Sequence, residues 1–261
     1  KYLGKTFDIH CGGMDLIPTH HTNEIAQCVA CNHVDPVKYW LHPNMLTVNG
    51  QKMSKSLGNS FLPAELFDGS HPLLDQGYSP MTVRFSMLQA HYRSTLDFSN
   101  DALKAAEKGY KRLMNAKSAL DQITISGIVN NDEEANVNKL LLATYDAMNN
   151  DFNSAQAIAE LNEAASLINT WNSLQNKKAN IQEHTLLRLK TLLHHFLFDI
   201  LGLLEESENN NEKLNGVMEL VIDIRKDARG KKDFATSDKI RDALQGVGIQ
   251  LKDSKDGTSW Q

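Results

Sequence analysis

Met45-Leu46-Thr47-Val48-Asn49-Gly50-Gln51-Lys52-Met53-Ser54-Lys55-Ser56 is the stretch that decides how this chain folds and what it handles. Its first four residues form a short apolar run that reads as extended. Asn49-Gly50 is a strong tight-turn dipeptide, because both residue types tolerate positive φ. After the turn comes a basic loop with two lysines three residues apart and serines between and beside them. A lysine ammonium is a compact charge with three donors, suited to polyphosphate oxygens whose charge grows as pyrophosphate leaves. On residue type alone, a solvated basic loop remains the bland alternative.

Outward from that loop, residues 1 to about 70 read as mixed α/β. Thr6-Phe7-Asp8-Ile9 reads as a strand, Cys11-Gly12-Gly13 as a turn, and Thr19 to Ala30 as a helix. The chain reaches this strand within nine residues of Lys1, and a core strand needs partners. A portion of a longer catalytic domain is therefore expected. Within the helix, His20 and Glu24 are four apart and share a face. An imidazole nitrogen and a carboxylate so placed could hold one zinc ion, or could be an ordinary surface pair. Cys28-Val29-Ala30-Cys31, with His33 beyond, is a CxxC worth the same question. Eight helical residues rise about 12 Å, so His20 and Cys28 cannot share a small ion without a kink.

Downstream, the apolar period changes to that of helices. Val83, Met87, Leu88 and His91 fall at spacings of three and four, as do Leu103, Ala106, Tyr110 and Leu113. Lys139–Asn149, Ser154–Leu174 and Ile181–Leu204 read as helices of a bundle. Ser126–Asn138 and Glu205–Glu212 read as polar exposed linkers. A final section places helices over 217–228 and 235–244, a strand-like run over 246–253, and a turn at Asp256-Gly257. Domain boundaries follow: 1–80, a connecting region 81–125, the bundle 126–205, and a small terminal module 213–261.

Composition limits the rest. Hydrophobic residues make up 41% and charged residues 23%, which argues for a packed globular chain rather than disorder. The longest apolar candidate for a membrane span, Leu186–Leu204, is broken by Arg188, Lys190, His194, His195 and Asp199. No charged start leads into an apolar core, so no signal peptide is expected. Three cysteines are too few for a disulfide framework and fit a reducing cytoplasm. The formal net charge is -5, so RNA contact would need local patches. One such patch is Arg225, Lys226, Arg229, Lys231, Lys232, Lys239 and Arg241, which could position phosphates, with Trp260 able to stack on an unpaired base. A solvated helix face explains the same charges equally well.

Lys52-Met53-Ser54-Lys55-Ser56 matches, letter for letter, the KMSKS signature of class I aminoacyl-tRNA synthetases. Phe7-Asp8-Ile9-His10-Cys11-Gly12-Gly13-Met14-Asp15-Leu16 and His20-His21-Thr22-Asn23-Glu24-Ile25-Ala26-Gln27 resemble a stretch of the cysteinyl-tRNA synthetases that reads FDIHGGG, DL and PHHENEIAQ. Gln89-Ala90-His91-Tyr92-Arg93 resembles a GHYRS-type helix linking catalytic and tRNA-binding parts in that family. Asp151-Phe152-Asn153-Ser154 resembles its DFNTP-type stretch, and residues 233–242 and 257–260 resemble its C-terminal module. The resemblance covers nearly the whole chain, with two departures. Cys11 stands where the first of three glycines is usual, where it could crowd a ligand pocket, and Pro18-Thr19 replaces Phe-Pro.

The resemblance implies a partial Rossmann-like α/β catalytic domain, a mainly α-helical tRNA-binding bundle and a small C-terminal α/β anticodon-binding module. It implies a cysteine–tRNA ligase: the cysteine carboxylate attacks ATP, and the product is passed to tRNA(Cys) without a covalent enzyme intermediate. Lys55, helped by Lys52, Ser54 and Ser56, would act on the ATP phosphates with Mg²⁺. His10 would lie near the bound L-cysteine. His20 and Glu24 would hold Zn²⁺ with two cysteines expected upstream of this chain. The HIGH-type motif is also absent from these residues, so the isolated chain is expected to be inactive. RNA contact falls to Arg225, Arg229, Lys231, Lys232 and Trp260. A cytoplasmic monomer is expected. A non-catalytic tRNA-binding fragment and a related cysteine:amino-sugar ligase remain as alternatives; residues 217–261 argue against the second.

Overall fold

The computed structural model describes residues 2–206, 210–231, 233–246, 249, 251–254 and 257–260, with the backbone alone for 210–216, 252–254 and 257–260. It divides into two compact units, Lys1–Leu204 and Glu205–Gln261.

The first unit opens with strand β1 (Phe7–Cys11), helix α1 (Thr22–Asn32) and strand β2 (Val37–Leu41). β1 and β2 pair in parallel, with His10 opposite Trp40 and Ile9 opposite Tyr39. Parallel neighbours need a crossover, and α1 supplies it. α1 stops where His33 turns left-handed at φ 57°, returning its N–H to the Val29 carbonyl at 2.9 Å. The helix starts later than the sequence predicts, because Ile17–His21 forms a π turn before it.

Strand β3 (Leu46–Val48), the two-residue strand β4 (Gln51–Lys52) and strand β5 (Leu96–Phe98) make a second, separate sheet in the order β4-β3-β5. Between its strands lie α2 (Pro63–Asp68) and α3 (Pro80–Leu88). Ser79 caps α3, accepting the Thr82 N–H at 3.1 Å, with Pro80 at the first helical position. Val48, Leu66, Tyr78, Val83, Phe98 and Leu103 form a small core under this sheet. Gln89–Arg93, read as helix, lies beyond the end of α3 in turns. The α/β start expected from sequence is built on two small sheets.

The helical region holds the larger core. α4 (Asn100–Gln122) is capped by Ser99 and buries Leu103, Ala106, Tyr110, Leu113, Ala116 and Leu120 along one stripe. α5 (Asn131–Asn149), α6 (Ser154–Ser173) and α7 (Glu183–His194) complete the bundle, joined by the two-residue strands β6 (Thr124–Ile125) and β7 (Lys178–Ala179). α5 begins inside the stretch read as a polar linker. Asn130 caps it, accepting from the Asp132 and Glu133 amides at 3.0 and 3.3 Å. Three acidic residues in its first turn then face the positive end of the helix dipole. Glu133 accepts the Trp171 indole N–H, and Glu134 accepts the Thr185 hydroxyl and the Gln182 amide, the latter at 2.9 Å. These bonds tie the start of α5 to α6 and α7. α7 passes into a π turn over His195–Ile200.

In the second unit, α8 (Asn210–Gly230) and α9 (Phe234–Gly246) precede an antiparallel pair, β8 (Leu251–Ser254) and β9 (Gly257–Trp260). The strand expected over 246–253 starts later: Gly246 is the last residue of α9, Ile249 belongs to no element, and the strand begins at Leu251; Asp256 lies outside the described residues. Asp233 caps α9 through the Thr236 amide at 3.1 Å. The Thr236 hydroxyl and N–H hold its carboxyl below the ordinary value.

Candidate functional site

The basic loop is a fixed frame carrying free charges. Asn49 and Gly50 take φ 49° and 75°, the positive pair that a tight hairpin turn requires, and β3 pairs with β4 so that Thr47 faces Lys52. Asp97 clamps this turn: one carboxylate oxygen accepts the Gly50 N–H and the Thr47 hydroxyl, each at 2.7 Å. Ser54 is extended and caps a single 3-10 turn over Lys55–Leu57, accepting the Leu57 N–H at 3.3 Å. Its hydroxyl lies 3.2 Å from that of Ser56. Gly58 closes the turn at φ 63°. Asn59, buried at 6% exposure, completes the frame. It accepts the Ser54 N–H at 2.8 Å and donates to the Lys52 carbonyl at 3.2 Å. Lys52 and Lys55 are exposed, and neither has an ion-pair partner among the described residues. Two ammonium groups on a pinned backbone, free of their own counter-ions, are an anion-binding arrangement.

A second cluster gathers at the end of β1. His10, His21 and Glu24 each offer a ligand atom, all within 4.8 Å of one another, the single such group of three among the described residues. His10 Nε2 lies 3.4 Å from a Glu24 oxygen. His21 is buried at 4% exposure, and its Nδ1 has no hydrogen-bond partner among the described residues. Its ring packs among His10, Trp40 and His42, with centroids 5.0, 4.7 and 5.1 Å away. Burial holds the His21 pKa below the ordinary value; Glu24 opposes this, and His10, His42 and His20 add to it. A neutral imidazole keeps a lone pair for a metal, and two nitrogens with a carboxylate oxygen are donors that zinc accepts.

This group differs from the pair expected from sequence, His20 with Glu24. His20 and His21 are adjacent in the π turn Ile17–His21, and their side chains part in direction. His21 faces in; His20 is exposed, its Nδ1 2.9 Å from the Thr19 hydroxyl. His10, expected beside the amino acid, stands inside the metal-competent group. Cys28 is half-buried, Cys31 is exposed, and neither joins that group. Cys11 is exposed in β1, on the strand face opposite His10, so it does not crowd the histidines.

Residues 1–108 match the model described as "tRNA synthetases class I (C) catalytic domain", and residues 143–205 match the DALR domain. Proteins named cysteine–tRNA ligase match along the whole chain. That of Porphyromonas gingivalis is 48% identical over 264 residues, that of Bacteroides thetaiotaomicron 50% over 264, and that of Thermococcus onnurineus 36% over 270. The chain is similar along its whole length to the cysteinyl-tRNA synthetases. It spans 52% of the first two relatives and 54% of the third. Among solved structures, a ternary complex of LeuRS, tRNA and LeuAMS from Agrobacterium radiobacter K84 has a TM-score of 0.48 at 19% identity, covering 72% of this chain and 25% of that one.

The basic patch expected to contact RNA near the end of the chain is divided by the structure. Arg229 and Lys231 are exposed. Arg225 is buried at 5% exposure. Lys232 lies outside the described residues, and Trp260 is described only as backbone of β9. Arg241 is already engaged by Asp238 at 3.3 Å and Asp242 at 3.2 Å. No helix among the described residues is long and apolar enough to cross a membrane. Sequence reading missed Asn59, His21 as the inward histidine, and Asp97; only Asn59, directly behind the Leu57-Gly58 turn, carried a local signal.

Proposed function

We propose that this chain is part of a cysteine–tRNA ligase that activates L-cysteine with ATP and transfers it to tRNA(Cys). The observation that carries this reading is the KMSKS loop: a backbone pinned by Asp97 and Asn59, presenting Lys52 and Lys55 without counter-ions. Lys55, seconded by Lys52, would neutralise the charge that accumulates on the phosphates as the cysteine carboxylate attacks, alongside Mg²⁺ on ATP. The Ser54 and Ser56 hydroxyls would add donors at the same edge. Such a reaction needs positioning and charge stabilisation, and no covalent enzyme intermediate.

His10, His21 and Glu24 would hold zinc, which, when bound, would take the substrate thiolate and disfavour a neutral hydroxyl. That preference would reject serine by chemistry rather than by editing. His21, buried and held neutral, would keep its place whether or not a ligand is present. The bundle over 126–205 would receive tRNA, with Arg229, Lys231, Lys232 and Trp260 of the terminal module at the anticodon end. We place the protein in the cytoplasm as a monomer. The terminal unit, α8 to β9, favours a tRNA substrate over an amino sugar.

The test is a chimaera in which residues 1–261 replace the segment they match in the Porphyromonas gingivalis relative. Cysteine-dependent, serine-independent ATP–pyrophosphate exchange is expected. Lys55→Ala should lower its rate by on the order of a hundredfold, the scale of losing one charge-stabilising donor. A soluble chimaera that is inactive, or one indifferent to Lys55→Ala, overturns the reading. Residues 1–261 alone are expected to show no exchange.

A further inference from the structure

Two stretches far apart in sequence, 91–93 and 151–154, meet in the structure. The chain turns from α5 to α6 through Asp151 and Phe152, consecutive non-glycine residues at φ 61° and 53°. This left-handed conformation is held only where surrounding contacts over-determine it. Those contacts centre on the Asp151 carboxylate. Its Oδ1 accepts the Tyr92 hydroxyl at 2.6 Å, and its Oδ2 pairs with Arg93 Nε at 2.7 Å and lies 3.8 Å from His91 Nε2. The Tyr92 hydroxyl, and then the Arg93 and His91 charges, outweigh burial and hold the Asp151 carboxyl below its ordinary value. Arg93 Nε also donates to the Tyr92 hydroxyl at 3.1 Å, and Ser154 donates to the Leu88 carbonyl at 2.8 Å.

The same residues grip the strand that leads to the lysine loop. Asn44 donates its backbone N–H to the Tyr92 carbonyl at 2.9 Å and its side-chain amide to the Arg93 carbonyl at 3.0 Å. Asn44 Oδ1 accepts the Met45 N–H at 2.7 Å, and the Met45 carbonyl accepts Leu96 N–H at 3.1 Å. From there β3 and β5 run in register to Val48 and Phe98, where Asp97 clamps the Asn49-Gly50 turn. The chain of bonds is unbroken from the α5–α6 turn to the strand that presents Lys52. It begins in the segment matched as DALR domain and ends in the segment matched as catalytic domain.

We infer that Asp151 is a positioning residue for the KMSKS loop: by holding Tyr92 and Arg93 it fixes Asn44, and so sets β3, which leads into the lysine loop, relative to the helical bundle. The mechanical link stands on these bonds alone. Its consequence for catalysis rests on the phosphate role proposed above for Lys52 and Lys55.

Hydrogen exchange of residues 1–261 tests the link. Asp151→Gly accepts positive φ more easily than aspartate does, so it keeps the turn and removes only the carboxylate. Tyr92→Phe cuts the next bond without touching the turn. Both should speed amide exchange over 44–50 and 92–98 by on the order of tenfold, as loss of a hydrogen bond to a charged group implies. Residues 157–168, in the bundle core, should be unchanged. Asp151→Asn, which can still accept from Tyr92, should restore most of the protection. Because the Tyr92 hydroxyl bond ends on the Asp151 carboxylate, the double variant Tyr92→Phe/Asp151→Gly should exchange no faster than Asp151→Gly alone. Acceleration confined to 148–156, or equal acceleration of 157–168, overturns the link.

In the chimaera, Asp151→Gly should lower kcat for exchange several-fold and leave KM for cysteine unchanged, the pattern of an interaction made in the transition state. An unchanged kcat overturns the role in the reaction. Should Lys55→Ala also leave exchange unchanged, the fault lies with the KMSKS reading rather than with Asp151.

Discussion

Replacing Gly12 with alanine should disable the histidine cluster from behind. Gly12 lies just past β1, where its N–H donates to the Leu41 carbonyl at 3.0 Å. A Cβ built there meets His21 Cε1 at 2.5 Å and Nε2 at 2.6 Å, with Leu16 Cδ1 at 3.1 Å. Ordinary contact is about 3.5–4.0 Å, so the ring must retreat by roughly 1 Å. It has little room, because Trp40, His10 and His42 surround it. Overpacking of this kind costs about 1–3 kcal/mol. At roughly 2–4 °C per kcal/mol for a domain of this size, Tm should fall by about 2–12 °C. The distinctive signature is functional. A 1 Å retreat takes His21 out of a ligand set whose atoms lie within 4.8 Å, so zinc bound per chain, measured by elemental analysis after dialysis, should drop well below that of the native protein. Undiminished zinc with an unchanged Tm would refute the claim that Gly12 is glycine to make room for His21.

His21→Ala should abolish that zinc retention and His20→Ala should spare it; the reverse result would return the metal to the residues expected from sequence. Asn59→Ala leaves the Lys52 carbonyl and Ser54 N–H without the partner that joins them, a loss of about 1–3 kcal/mol, and should lower exchange in the chimaera more than it lowers Tm. Glu134 gives a pH dependence. Burial alone would raise its pKa, but the Thr185 hydroxyl, Gln182 N–H and Asn138 amide outweigh it and hold it below the ordinary value. A carboxyl depressed on folding stabilises the fold above its unfolded pKa, and that share is lost as pH falls through the folded value. Urea unfolding followed from pH 7 down to 3 should therefore show a smaller acid-side loss in Glu134→Gln than in the native chain.

What the sequence made legible was local. Asn49-Gly50 announced its turn because two positive φ values are a property of those two residues. The stripe Leu103, Ala106, Tyr110 and Leu113 announced α4 because burial follows a period of 3.6. Local rules misled where two of them compete. Ser126–Asn138 looked like a linker by polarity, yet Asn130 with Asp132, Glu133 and Glu134 is what a helix start favours. The choice between His20 and His21 was not legible at all. Both sit three or four residues from Glu24, and which of them faces β1 depends on how the π turn feeds α1. Strand partners were equally hidden, since Leu46 and Leu96 meet across 50 residues for reasons of packing rather than of pattern. Asp151 carried a family motif but no visible reason for it until Tyr92 appeared opposite.

The two candidate sites obey opposite design rules. His21 is desolvated, kept neutral and walled by aromatic rings, so its nitrogens are positioned before any ligand arrives. Lys52 and Lys55 are exposed to solvent, and the backbone beneath them is pinned by Asp97 and Asn59. In a chain with 32 acidic residues against 27 basic ones, Lys52 and Lys55 are left without a carboxylate partner among the described residues, which keeps both charges available to an outside anion. An internal ion pair would have to be broken before a polyphosphate could bind, and its energy would be subtracted from transition-state stabilisation. Placing a carboxylate within reach of Lys55, for example by Leu57→Asp, should therefore weaken exchange in the chimaera while leaving Tm almost unmoved. A surface lysine with no anion to bind would be indifferent to that change.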